Sequence, residues 1–157
     1  MKPLSEEFVQ NKIIEFLSRD GWSRNLRAKE LHEHGVDIKV RHNKYARYWL
    51  IECKGDASKS AKYPDSHRVN SFTFALGQIV TRMKSHGKRR YKYGYKFGVG
   101  FPASYRDLVI NRLPYNVADN LNLYVFLVSG NGSVHMLDWR ALRKLQIAAT
   151  KADSLTS

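Results

Sequence analysis

Residues 48 to 53, YWLIEC, are an almost unbroken apolar run built from aromatic and branched side chains. A run of this length suits a central strand buried on both faces, and such a strand needs a layer of structure above and below it. Just upstream, GVDIKV (35 to 40) alternates Val36, Ile38 and Val40 on one face, and the polar RHNKYA between the two segments reads as a turn. The two segments predict an antiparallel hairpin.

What surrounds the hairpin is helical. SEEFVQNKIIEFLSR (5 to 19) spaces Phe8 or Val9, Ile13, Phe16 and Leu17 on one stripe, with Ser5 as N-cap, acidic Glu6 and Glu7 in the first turn and Gly21 as the stop. A short strand is expected from Trp22 to Ala28. NSFTFALGQIVTRMKSH (70 to 86) predicts a second helix that turns Phe72, Leu76, Ile79, Val80 and Met83 inward, capped by Asn70 or Ser71 and ended by Gly87. YKFGVGF (95 to 101) and LYVFLVS (123 to 129) read as buried strands with a short helix near 104 to 112 between them, and SVHMLDW follows a GNG turn as a hairpin partner. A basic helix over 138 to 149 closes the domain, and the polar residues 150 to 157 are expected to be a disordered tail. No repeat or linker divides residues 1 to 149, so a single α/β domain is expected, its mixed sheet covered by the first and second helices.

The hairpin carries three charges that its apolar pattern does not require. Pairing GVDIKV with YWLIEC through a turn near Asn43 brings Asp37 opposite the region of Glu52, close to Lys54. Two carboxylates that close repel unless something positive lies between them. Lys54 serves in part, and a hard divalent cation serves better: Mg²⁺, with Mn²⁺ as a substitute, takes carboxylates, a backbone carbonyl such as that of Cys53, and waters. The competing reading is a solvated Glu52–Lys54 pair at a strand end, worth little to stability.

With GVDI, then IECKG, between SEEFVQNKIIEFLSRDGW and ALGQIVTRM, residues 5 to about 100 resemble the PD-(D/E)xK nuclease superfamily, which is restriction-endonuclease-like and Holliday-junction-resolvase-like. The resemblance implies an αβββαβ core and a metal-dependent DNA endonuclease with catalytic residues Asp37, Glu52 and Lys54. It places a helix-one acid on Glu6, with Glu7 as the alternative, and a helix-two amide on Gln78. Its metal ligands fall on Asp37, Glu52, Cys53 and Glu6. Val36 stands where the motif's proline is named. The alternative function is a non-catalytic nucleic-acid-binding module, or a subunit of a larger restriction or repair complex.

Charge supports a polyanionic partner. Lys and Arg number 27 against 14 acidic residues, a formal net charge of +13, which costs self-repulsion and is most useful against nucleic acid. KSHGKRRYKYGYK (84 to 96) concentrates Lys84, Lys88, Arg89, Arg90, Lys92 and Lys96 among tyrosines, a pattern suited to gripping phosphates while rings pack or stack. Arg24, Arg27 and Lys29 stand near the expected site, and His34 flanks Asp37 closely enough to support it. With DNA as partner, so small a domain makes a homodimer or a specificity partner plausible. The lone Cys53 excludes an internal disulfide and any cysteine-rich zinc site. No apolar run of about 20 residues is present and the polar, acidic N-terminus does not read as a signal, so no membrane association and a cytoplasmic location are expected.

Overall fold

The structure, a computed structural model, describes residues 2–23, 35–83 and 94–156. The elements in chain order are α1 (Glu6–Ser18), β1 (Trp22–Ser23), β2 (Ile38–His42), β3 (Tyr48–Cys53), α2 (Pro64–Arg82), β4 (Tyr95–Pro102), a 3-10 turn (Ala103–Tyr105), α3 (Arg106–Arg112), α4 (Tyr115–Asn120), β5 (Leu123–Val128), β6 (Val134–Leu137) and α5 (Trp139–Thr156). The strands form one six-stranded sheet in the order β1-β2-β3-β4-β5-β6. β3, β4 and β5 run parallel, and the remaining neighbours are antiparallel. Parallel neighbours require crossover connections, and α2 forms one of them.

Helices cover both faces. On one side Val9, Ile13 and Leu17 of α1 pack with Ile38, Val40, Trp49, Ile51 and Cys53. On the other, Phe72, Ala75 and Ile79 of α2 join Leu50, Phe97, Val99, Phe101 and Leu142 of α5. The alternation of β3 explains the division: Trp49, Ile51 and Cys53 point to α1, while Leu50 points to α2. Close seating of α1 depends on Gly100, where an added Cβ would lie 2.4 Å from Ile13 Cδ1 and 2.9 Å from Cys53 Sγ. Ser5 caps α1 as expected, accepting a hydrogen bond from the Phe8 N–H at 3.1 Å.

The α/β layering, the β2–β3 hairpin, and the buried strands β4 and β5 agree with the sequence reading. The second helix starts earlier than expected, at Pro64 instead of near 70, and ends at Arg82. Proline suits the first helical position, and the polar turns that follow carry no apolar stripe to betray them. Ala75 takes an inward position and Val80 remains 46% exposed. The last helix continues to Thr156 through residues expected to form a tail, because Ala148, Ala149, Lys151 and Ala152 favour helix and no Gly or Pro intervenes. The short α4 follows Pro114, and its six residues are too few to set up an apolar repeat in the sequence. Of the strand expected over 22 to 28, Trp22–Ser23 is β1, and the rest lies outside the described residues, as does Gly87. No described helix is long and apolar enough to cross a membrane.

Candidate active site

The antiparallel register pairs Ile38 with Ile51, so the next residues outward, Asp37 and Glu52, face each other at the carboxyl end of β3. Ile38 and Ile51 point into the α1 layer, and Asp37 and Glu52 therefore share the α2 face. Asp37 is held there by its own strand partner: its Oδ2 accepts the Cys53 N–H at 2.7 Å. Glu52 is the single charged side chain that is buried among the described residues, at 1% exposure. Burial, and then the neighbouring Asp37 charge, push its carboxyl up to about 7.

Arg82 opposes that strain. From the last turn of α2 it places Nε 3.3 Å from Glu52 Oε1 and donates from its other end to the Gly35 carbonyl. Nothing in the sequence marks Arg82 beyond its position one helical turn after Gln78, which is a weak signal.

Lys54 lies just past the last β3 residue, where strand alternation no longer fixes its direction. Its N–H continues the ladder to Gly100 O at 2.9 Å. Its Nζ approaches Glu6 Oε2 at 4.0 Å, and the lysine side chain is 20% exposed. Glu52 and Lys54 thus engage helices of opposite layers, Arg82 of α2 and Glu6 of α1. Glu6 also accepts from Gln10 Nε2 at 3.4 Å, an ordinary contact between residues one turn apart.

The segment after Lys54 is locked against the start of α1. Asp56 Oδ2 accepts the Leu4 N–H at 2.9 Å, and Asp56 N–H donates to Leu4 O at 2.8 Å. Ser104 Oγ donates to Asp56 Oδ1 at 2.6 Å, and the Tyr105 hydroxyl donates to Gly55 O at 2.9 Å. A Cβ at position 55 would come within 2.6 Å of Glu6 N and 2.8 Å of Leu4 O. That approach holds the Glu6 end of α1 against the Lys54 end of β3.

Cys53 contributes its backbone. Its thiol is fully buried beside Ile13 and Gly100, and burial pushes it well above the usual range, so it stays protonated and inert. Gln78, on α2, has an Oε1 that is buried and without a hydrogen-bond partner among the described residues. It lines a groove of about 430 Å³ with Asn70, Thr73, Phe74, Gly77 and Thr81.

The two carboxylates are the oxygen donors that a hard cation takes, while the Arg82 guanidinium, itself a cation, already lies beside Glu52. Among the described residues there is no cluster of three or more His, Cys, Asp or Glu side chains able to hold a metal. Glu6 accordingly stands with Lys54 and not in a three-acid group with Asp37 and Glu52.

Most of the residues expected to grip nucleic acid fall outside the described part of the chain. Lys84, Lys88, Arg89, Arg90 and Lys92 lie outside the described residues, as do Arg24, Arg27, Lys29 and His34. Lys96 is described, and its side chain is half-buried against two aromatic rings. Its Nζ sits 5.3 Å from the Trp49 ring centroid and 5.4 Å from that of Tyr124. Burial, with a smaller contribution from Arg47, lowers its ammonium's affinity for a proton.

No family model, curated protein or solved structure matches the chain.

Proposed function

We propose that the chain is a divalent-metal-dependent phosphodiesterase acting on nucleic acid, a DNA endonuclease with a restriction-endonuclease-like core. The observation that carries this reading is the meeting of Asp37 with the buried Glu52 at the end of β3, two residues before Lys54, whose ammonium approaches Glu6. Burial of a carboxylate beside a second carboxylate is unfavourable for folding, and such arrangements gather where chemistry requires them. Asp37 and Glu52 would hold Mg²⁺ or Mn²⁺, with the Cys53 carbonyl as a further oxygen donor. When bound, the ion supplies Lewis-acid stabilisation of phosphate oxygens and an acidified water.

The chain's own residues have the remaining tasks. Asp37 keeps its carboxylate oriented through the Cys53 N–H. Lys54, attached to a strand end and steadied by Glu6, presents an ammonium where negative charge develops on a phosphate. The Gly55–Asp56 lock fixes the Glu6–Lys54 distance before substrate arrives. Gln78, one turn from Arg82, keeps a buried amide oxygen without a hydrogen-bond partner among the described residues, and would reach substrate only through a side-chain rearrangement.

One observation favours a second reading. Arg82 already neutralises Glu52, and a permanent ion pair there would make the chain a non-catalytic nucleic-acid-binding module. Calorimetric titration with Mn²⁺ separates the two. Wild type is expected to bind and Asp37→Ala and Glu52→Ala to lose the heat. Identical titrations of all three would leave the module.

A further inference from the structure

We propose that residues 57 to 68, the end of the connection from β3 and the first turn of α2, are a docking surface for an unpaired nucleic-acid strand running next to Lys54; the proposal rests on the nucleic-acid reading above and adds the path and strandedness of the substrate. The connection is built and held. Asp56 pins its start to Leu4 and Ser104, Ala57 is buried behind it, and a Ser58–Ala61 turn, closed by Ala61 N–H to Ser58 O at 3.0 Å, places Lys59 at the tip. Lys59 and Lys62 are exposed and form no ion pair among the described residues. Tyr63 is 65% exposed, with Lys62 Nζ 5.5 Å from its ring centroid. One helical turn on, His67 is exposed and Arg68 follows it.

The one acidic residue of the segment, Asp65, is tied by Arg68 Nη1 at 3.1 Å. Arg68 still has a buried Nε with no hydrogen-bond partner among the described residues. The surface therefore offers two ammonium groups with no ion-pair partner among the described residues and a flat aromatic ring, all in the connection that begins at Lys54. Ammonium groups beside an exposed ring are what a single strand engages, with phosphates on the lysines and a base on the ring. A paired base in duplex has no free face to give Tyr63. The basic segment at 84 to 96 is denser in charge, yet residues 57 to 68 are tethered directly to the candidate catalytic lysine.

The test is fluorescence anisotropy in Ca²⁺ with a labelled single-stranded oligonucleotide and the duplex of the same sequence. It compares wild type, the Lys59→Ala/Lys62→Ala double variant, Tyr63→Ala and Tyr63→Phe at several salt concentrations. All three positions are exposed, so the variants keep the fold. The double variant is expected to shallow the salt slope on single strand by about 1.4, or ~0.7 for each phosphate left without its lysine. Tyr63→Ala is expected to weaken single-strand binding about tenfold and duplex binding less than twofold, and Tyr63→Phe to restore wild-type affinity. Wild-type binding with unchanged behaviour of all variants overturns this inference and leaves the nucleic-acid reading standing. Equal weakening of single-strand and duplex binding in Tyr63→Ala overturns the assignment of strandedness. Wild type that binds neither oligonucleotide overturns both, as does a wild type that binds anionic vesicles instead and no longer does so in the double variant.

Discussion

Replacing Glu52 with glutamine is expected to stabilise the metal-free protein at alkaline pH, against the usual outcome for a change at a fully buried position. The Glu52 carboxyl is 1% exposed, and burial and Asp37 raise it from an ordinary 4.5 to about 7 with the Arg82 contact already included. The native state thus holds a proton that the unfolded chain gives up at lower pH. Stability from this group is fully present below pH 4.5 and is lost as pH rises through about 7. At about 1.4 kcal/mol per pKa unit, the gap corresponds to ~3 kcal/mol lost by pH 8, an upper bound because the pair shares its protons. The assay is urea unfolding in EDTA from pH 5 to 9, for wild type and Glu52→Gln. Wild type should fall relative to the variant across pH 5 to 8, and the variant should be the more stable at pH 8. Adding Mg²⁺ at pH 8 should raise wild type alone, since a cation relieves the same repulsion. Parallel pH curves for the two proteins would refute the reasoning, for they would mean that Glu52 is not strained in the native state.

Arg82→Ala should destabilise the metal-free protein by about 1–3 kcal/mol at pH 8, where it strips a buried carboxylate of its partner, and by less at pH 5, where Glu52 is protonated; denaturant melts at the two pH values check it. Lys54→Ala should lower cleavage by ~100-fold or more while leaving oligonucleotide affinity in Ca²⁺ within about twofold, since the missing donor acts mainly on transition-state charge; paired nicking and anisotropy measurements decide it. Ile13→Ala, which empties the contact between α1 and Gly100, should cost about 2–5 kcal/mol of stability. Thermal and urea unfolding of that variant would contradict the packing account if the cost were below about 1 kcal/mol, roughly the net value of one ordinary hydrogen bond.

The parts legible in the sequence are those with a short, strict period. YWLIEC and GVDIKV fix two strands, and once an antiparallel register is assumed, the meeting of Asp37 with Glu52 follows from counting. The start of α2 is not legible because residues 64 to 69 are polar and mostly exposed, so no apolar stripe announces them and Pro64 reads as an interruption as easily as a first helical residue. Arg82 is hidden for a different reason. A basic residue in the last turn of a helix is common for dipole reasons alone, and only the fold reveals that its guanidinium spans to β3. The surroundings of Lys96 are hidden as well: a lysine in a basic stretch reads as solvated, and only the fold sets its ammonium over the Trp49 and Tyr124 rings of the two neighbouring strands. Lys54 falls between these cases, since its motif is plain and its partner Glu6 depends on how α1 meets Gly55.

Hydrolysis itself is the most direct measurement of the proposed activity. Supercoiled, linear, single-stranded and four-way-junction DNA should each be incubated with wild type and with Asp37→Ala in Mg²⁺, in Mn²⁺ and in EDTA. A metal site at Asp37 and Glu52 predicts cleavage of at least one substrate by wild type in either metal, none in EDTA, and none by Asp37→Ala under any condition. Wild type that binds these substrates and cuts none of them in either metal, or Asp37→Ala that cuts at the wild-type rate, would contradict it.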